Sequence, residues 1–362
     1  MKKRFVCMFL ALAMLFALAA CGNSSTPAAS DNSSVSDGSS DTIKLGGIGA
    51  LTGGYANYGL SVQHGAQLAV DEINAAGGVN GKQLELNFQD SQGDPESAVS
   101  AYGKLMDWGM DVSLGCVMSG ETASVVAAAK EDDVLLLTPS GSSDSCLSGN
   151  DKAFRICFYD SYQGTAAANY LSEKNLATEV GVLYQSDSDY STGLYSSFVA
   201  ECADLGINIV ETQTFTASTS TDFSTQVNAL VDSGVKVVFI PFYAEEASTF
   251  LTQAKGKFAD DVYFFGADGL DGILGKVEQD VTIANNVLML TPFAADAYDA
   301  VYVIKAAVEK AGSTSGAALA AVMPELEVTG VTGTMTWDAD GNTNKNASAI
   351  LYFDGVGSVF GD

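Results

Sequence analysis

The residues best placed to do chemistry lie in one stretch, Asp111–Ser143, where two short apolar runs each end in hydroxyls and glycines. Val112–Cys116 runs into Met118-Ser119-Gly120, and Val134–Leu137 runs into Thr138-Pro139-Ser140-Gly141-Ser142-Ser143, with an Ala-rich helical run, Glu121–Lys130, between them. Apolar runs without alternation read as buried parallel strands, so the stretch is a β-α-β unit. Open α/β sheets bind ligands at the carboxyl ends of their strands. A helix start there also offers free backbone N–H groups, which suit an anion. Ser119, Gly141 and Ser142 therefore read as a cradle for a small carboxylate. The same residues would serve equally as a helix cap and a solvated loop, and this stretch alone leaves both open. Arg occurs only at Arg4 and Arg155, and His only at His64. A bound carboxylate would thus rely on hydroxyls and backbone N–H groups instead of a bidentate Arg fork.

Other chemistries lack their parts. His64 lies on the polar side of a helical run, and no Gly-x-Ser-x-Gly elbow is present. Paired carboxylates for glycoside hydrolysis have no supporting motif. Gly47-Ile48-Gly49-Ala50-Leu51-Thr52 is one glycine short of a dinucleotide fingerprint. Cys116, Cys146, Cys157 and Cys202 show no zinc spacing. Cys146 and Cys157 flank a short polar loop and could pair, whereas Cys116 and Cys202 read as buried thiols. Asp338-Ala339-Asp340-Gly341-Asn342 opens like a calcium loop, but Thr343 and Ala349 stand where Gly and Glu belong, so a turn is expected. The reading is a binding protein with no enzyme activity, metal or cofactor.

The chain has 362 residues, 47% of them apolar, enough for two domains with cores. Its formal net charge of −27 repels nucleic acid and anionic lipid headgroups. Lys2-Lys3-Arg4, the apolar run Phe5–Ala17 and Leu18-Ala19-Ala20-Cys21 have the order of a signal peptide over residues 1–20. Leu-Ala-Ala-Cys resembles a bacterial lipobox, in which Cys21 is lipidated and becomes the new N-terminus. Residues 21–41, mostly Ser, Thr, Ala, Asp, Asn and Gly, cannot bury a core and read as a flexible tether. Such a tether spans roughly 25 Å on average. The folded part is expected outside the cytoplasm, anchored to the cell membrane through Cys21.

From Thr42 on, short strands alternate with amphipathic helices. The expected strands include 42–49, 84–89, 153–156, 180–184, 207–212, 235–241, 262–266 and 287–290. The helices between them include 59–76, 162–174, 192–204, 223–232, 245–256 and 294–311. Ten or so alternations make an α/β protein with parallel sheets. Thr334–Trp337 and Ala349–Phe353 are expected to pair as a terminal hairpin.

In this order the residues resemble a known family: the solute-binding proteins of branched-chain amino acid ABC transporters, with the type I periplasmic-binding fold. The matching stretches are Ile43–Thr52, Ala69–Gly81, Arg155–Tyr170 with Ser161-Tyr162-Gln163-Gly164, Asp189–Leu194, Thr221–Ser224 and Ala294–Ala300. The resemblance implies two Rossmann-like lobes joined by a hinge of three crossovers, with the ligand closed between them. Lobe 1 would hold 42–158 plus about 291–332, and lobe 2 would hold 159–290 plus about 333–362. Ser119 then matches the serine that holds the ligand carboxylate, and Gly141 and Ser142 match its backbone and hydroxyl partners. Tyr58, Tyr190 and Tyr243 match cleft aromatics. Asp268 matches the acidic position that takes the α-ammonium, where a member of the family carries Glu. Met118, Tyr162 and Phe293 would line the side-chain pocket.

The implied function is capture of a branched-chain or related amino acid by a monomer, for delivery to the permease subunits of an ABC importer. Binders of amides, urea or aromatic acids share the fold, as do ligand sensors that act through a membrane partner. The family also carries an added helix after the strand ending at Leu290, where only Thr291-Pro292-Phe293 intervenes here. One flank of lobe 1 is therefore expected to lie open.

Overall fold

A computed structural model describes residues 42–291, 294–345 and 348–359. Cys21 and Phe293 lie outside the described residues. The chain opens with β1 (Thr42–Gly49), α1 (Ala56–Ala75), β2 (Gln83–Asp90), α2 (Pro95–Trp108), β3 (Val112–Cys116), α3 (Ser119–Ala128), β4 (Leu135–Thr138) and β5 (Ala153–Arg155). There follow α4 (Asp160–Glu173), β6 (Glu179–Gln185), α5 (Asp189–Leu205), β7 (Asn208–Phe215), α6 (Ser224–Ser233), β8 (Val237–Phe239), α7 (Ala244–Ala254), β9 (Tyr263–Phe265), α8 (Ile273–Lys276) and β10 (Val287–Thr291). The last elements are α9 (Ala294–Ala311), α10 (Gly316–Val322), β11 (Glu327–Gly330), β12 (Gly333–Thr336), β13 (Ser348–Phe353) and β14 (Val356–Val359).

Two large sheets result. The first has the order β2-β1-β3-β4-β5 and is parallel throughout. The second has the order β14-β13-β10-β9-β8-β6-β7, parallel except where β13 and β14 add antiparallel strands at one edge. The chain crosses between them after β5, after β10 and after β12, as two lobes sharing a hinge require. Every residue of β3, β4 and β5 is buried, because helices cover both faces of a parallel sheet.

Local signals explain the helix ends. Asp94 caps α2 by accepting from the Ser97 N–H at 2.8 Å, Pro95 takes the first turn, and Gly109 ends the helix at φ 84°. Ser188 and Gly206 bound α5 in the same way. At Gly59 the constraint is steric, since a Cβ there would lie 1.9 Å from the Ala50 carbonyl oxygen. Only glycine lets α1 start directly against the end of β1, which is what brings Tyr58 to the strand tips.

Three expectations are corrected, and one open cysteine pairing is settled. β12 pairs antiparallel with β11, and β13 pairs with β10 and β14, so 334–337 and 349–353 do not form a hairpin. Met335 and Trp337 sit in the core of the first lobe, and the Trp337 indole N–H donates to the Arg155 carbonyl at 2.7 Å. The segment from residue 333 to the last crossover thus belongs to lobe 1, not lobe 2. Cys146 and Cys157 are buried free thiols, as are Cys116 and Cys202. Finally, among the described residues lobe 1 shows no bare face. There α9 packs on α1 through buried Ala300, Val301, Ile304 and Val308, while α2 and α3 cover the other side. The acidic loop is a turn as expected, with the Asp338 carboxylate accepting from the N–H groups of Asp340 and Asn342.

Candidate functional site

The candidate cradle sits where β3 and β4 end. Ser119 begins α3 and is buried, and its Oγ accepts from the Ser143 N–H at 3.1 Å, leaving its own proton to donate. Gly141 does not present its N–H to the cleft. That N–H donates to Thr138 Oγ1 at 2.7 Å, and a Cβ at Gly141 would lie 2.5 Å from Thr122 Oγ1. Gly141 therefore serves close packing, which leaves the hydroxyls of Ser119 and Ser142 as the candidate donors.

Arg155 shapes this loop. It is 1% exposed, and its guanidinium donates to the carbonyls of Gly141 at 3.2 Å, Ser142 at 2.6 Å and Ser143 at 3.0 Å. A planar fork can hold three carbonyls at fixed angles, which an ammonium cannot. Three carbonyls held by one guanidinium fix the course of the loop. Glu121, in the first turn of α3, accepts from the Ser91 hydroxyl at 2.6 Å, and burial pushes its carboxyl up to about 7.

The second half of the site comes from lobe 2. Tyr190, at the start of α5, donates to Asp268 Oδ1 at 2.6 Å and accepts from the Gly269 N–H at 2.7 Å. The Asp268 N–H donates to Gln163 Oε1 at 3.1 Å. Tyr243 stacks on Tyr190 with ring centres 4.6 Å apart and lies 5.7 Å from Tyr58. The Tyr58 hydroxyl accepts from the Ala244 N–H at 2.8 Å and donates to the Gly269 carbonyl, across the lobes. Asp268 is 1% exposed, and burial pushes its carboxyl up to about 7.

A further carboxylate joins it. Asp160, the first residue of α4, is wholly buried, and neither of its oxygens has a hydrogen-bond partner of good geometry. Burial raises its pKa well above the carboxylate range, Asp268 raises it further, and the neighbouring Ser142 hydroxyl lowers it. Its backbone N–H donates to the Ser142 carbonyl at 2.9 Å, so Asp160 ties the cradle to the carboxylate side. A cation joining Asp160 and Asp268 would lower the cost of burying them, adding to what Arg155 already does for Asp160.

The structure thus groups Tyr58, Tyr190, Tyr243 and Asp268, and separately Ser119 with Ser142 and Gly141. Met118 and Tyr58 join an apolar cluster with Phe242, Ala244 and Leu270 of lobe 2. Tyr162 lies at the first crossover, beside Phe158 and Tyr159 at 6.4 and 6.2 Å between ring centres. Sequence reasoning missed Asp160, Gln163 and Arg155. Asp160 reads as an ordinary acid in a helix's first turn. Arg155 had one visible signal: it is the lone Arg of the folded part.

Two lobes meeting over a hydroxyl-lined loop and a buried carboxylate pair make up a two-lobed solute-binding protein. The family description "Periplasmic binding protein" matches residues 42–282. The Leu/Ile/Val-binding protein homolog 3 of Brucella melitensis is 29% identical over 86% of this chain and 91% of its own length. A leucine-, isoleucine-, valine-, threonine- and alanine-binding protein of Pseudomonas aeruginosa is also 29% identical, over 86% of this chain and 90% of its own. Among solved structures, the branched-chain amino acid transporter substrate-binding protein LivJ of Streptococcus pneumoniae, in complex with isoleucine, superposes with a TM-score of 0.81. It is 31% identical and covers 88% of this chain and 98% of its own. The chain belongs to the periplasmic binding protein family, among the substrate-binding proteins of branched-chain amino acid ABC transporters. That membership places its folded part outside the cytoplasm.

Proposed function

We propose that this protein captures a branched-chain or similar amino acid as the zwitterion and hands it to the permease subunits of an ABC importer, without transforming it. The observation that carries this reading is the buried pair Asp160 and Asp268 next to the Ser119–Ser142 loop, to which the Asp160 N–H is bonded at the Ser142 carbonyl. An ammonium neutralises the first end, and the hydroxyls at the start of α3 bind a carboxylate at the second. The aromatic and Met118 surfaces between them suit an aliphatic side chain. Relatives named as Leu/Ile/Val-binding proteins support the same ligand class. The protein acts as a monomer tethered to the membrane by lipidated Cys21. A thermal-shift screen of the folded domain against amino acids, amides, urea and aromatic acids tests the assignment. A true ligand at 100 times its Kd adds roughly 2.7 kcal/mol to stability. Stabilisation by an amide or an aromatic acid, with none by leucine, isoleucine or valine, would overturn it.

A further inference from the structure

Beyond the tyrosine cluster, the lobes meet along a second row of contacts that reaches neither the cradle nor the carboxylate pair. Tyr55, just ahead of α1 in lobe 1, donates its hydroxyl to Glu246 Oε1 in lobe 2 at 2.5 Å. Its ring lies edge-on to Tyr243 at 5.5 Å. Glu246 is 5% exposed, its other oxygen has no partner, and burial raises its carboxyl. Lys276 donates to Glu245 Oε2 at 2.7 Å and reaches across to the Gly54 carbonyl. Asn57 donates to the Asp271 carbonyl at 3.3 Å. The fit is close: a Cβ on Gly54 would meet Glu245 at 3.2 Å, and one on Gly272 would meet Asn57 Nδ2 at 2.7 Å.

Three features set this seam apart from ordinary surface contact. Tyr55, Glu246 and Lys276 pair across lobes through residues about 190 to 220 apart in sequence, so opening must break every one of these contacts. Glu246 is buried with Tyr55 as the donor to its Oε1, and a buried carboxylate with one partner depends on that partner. The contacts are made by protein atoms alone, so they favour the closed form whatever the cleft holds. A ligand shifts closure only by its differential affinity for the two forms. Contacts independent of ligand set the starting population on which it acts.

We propose that Tyr55, Glu246 and Lys276 form a ligand-independent latch, so that how long the lobes stay closed is set at this seam and which ligand they close on is set in the tyrosine cluster. This rests on the solute-binding reading for its kinetic consequence, but the latch itself is testable without ligand.

The experiment uses Tyr55→Phe, which keeps the ring and loses the hydroxyl, Lys276→Met, and the double variant. Small-angle X-ray scattering of the ligand-free proteins is the first readout. The variants should show a larger radius of gyration than wild type, with the double variant largest. Glu246→Gln, which keeps an acceptor for Tyr55, should stay near wild type. The second readout is the dissociation rate of each ligand that binds. Tyr55→Phe should raise every rate by about tenfold, as loss of one hydrogen bond to a charged group implies, with the ratios between ligands unchanged. Scattering identical to wild type in all variants would overturn the latch. So would rates that change for one ligand and not another, which would make Tyr55 a pocket residue. A failure of every amino acid to bind would sink the solute reading and leave the scattering result to decide the latch.

Discussion

The Tyr190 hydroxyl stands between Asp268 Oδ1, to which it donates at 2.6 Å, and the Gly269 N–H, from which it accepts at 2.7 Å. The carboxylate is thereby fixed in direction while burial still holds its proton more tightly than water would. A group held in place and short of neutralisation is what an incoming ammonium requires. Asp268→Asn keeps the shape and removes the charge. It should weaken amino-acid binding at least tenfold, about 1.4 kcal/mol. Asp160→Asn should do the same, and the two losses should be non-additive because they serve one cation. Calorimetric titration of both single variants and the double checks this; wild-type affinity in Asp268→Asn would assign the ammonium elsewhere.

Burial raises Asp268, Glu121 and Asp296 to about 7, although Lys345 beside Asp296 works against the shift there. For an acid whose folded pKa lies above its unfolded value, the folded state binds the proton more tightly. Stability is then greatest at low pH and is lost as pH rises from about 4 through 7. The ligand-free protein should therefore unfold at a higher temperature at pH 5 than at pH 8. The drop should be smaller in Asp268→Asn, a comparison that removes the effect of general charge repulsion. Bound amino acid should reduce the drop too, since its ammonium favours the ionised carboxylate. Thermal unfolding across that pH range would contradict the assignment if wild type and Asp268→Asn fell in parallel.

Arg155 is expected to act through the loop and not through the ligand. Arg155→Met would leave three carbonyls without their shared donor, at a cost of about 3 kcal/mol or more. Arg155→Lys should recover little, because a point charge cannot span all three. Urea unfolding measures both. Full recovery by Lys would show that charge alone, not the fork, holds the cradle in shape.

For the anchor, Cys21→Ala should leave an uncleaved precursor or release the protein from the membrane. Cleavage of the leader with membrane attachment unchanged, followed by cell fractionation, would remove the lipobox from the account.

Much of this architecture is legible in the chain itself. The unbroken apolar runs of β3 and β4 announce buried parallel strands, and the hydroxyls after them mark the strand tips where Ser119 and Ser142 lie. What escapes sequence reasoning depends on long-range geometry. Whether the Gly141 N–H faces the cleft or Thr138 is decided by a side chain on the preceding strand end. Asp160 looks like any acid in a first turn until the fold removes its water. The terminal strands mislead because 334–337 and 349–353 are equally apt to pair with each other or with β11 and β10, and only sheet order decides. The open flank follows from counting helices, and it fails because α1 and α9 cover one face of the sheet and α2 and α3 the other.

The central claim, that the cleft reads both ends of an amino acid, is tested most directly by calorimetric titration of wild type and Ser119→Ala with leucine, its amide, and the 2-oxo acid with the same side chain. The account predicts that wild type binds leucine and that each analogue, lacking one charged end, binds at least tenfold more weakly. Ser119→Ala should lose roughly 1.5–3 kcal/mol toward leucine and almost nothing toward the amide. Equal binding of leucine and the oxo acid, or equal losses for leucine and its amide in Ser119→Ala, would contradict it.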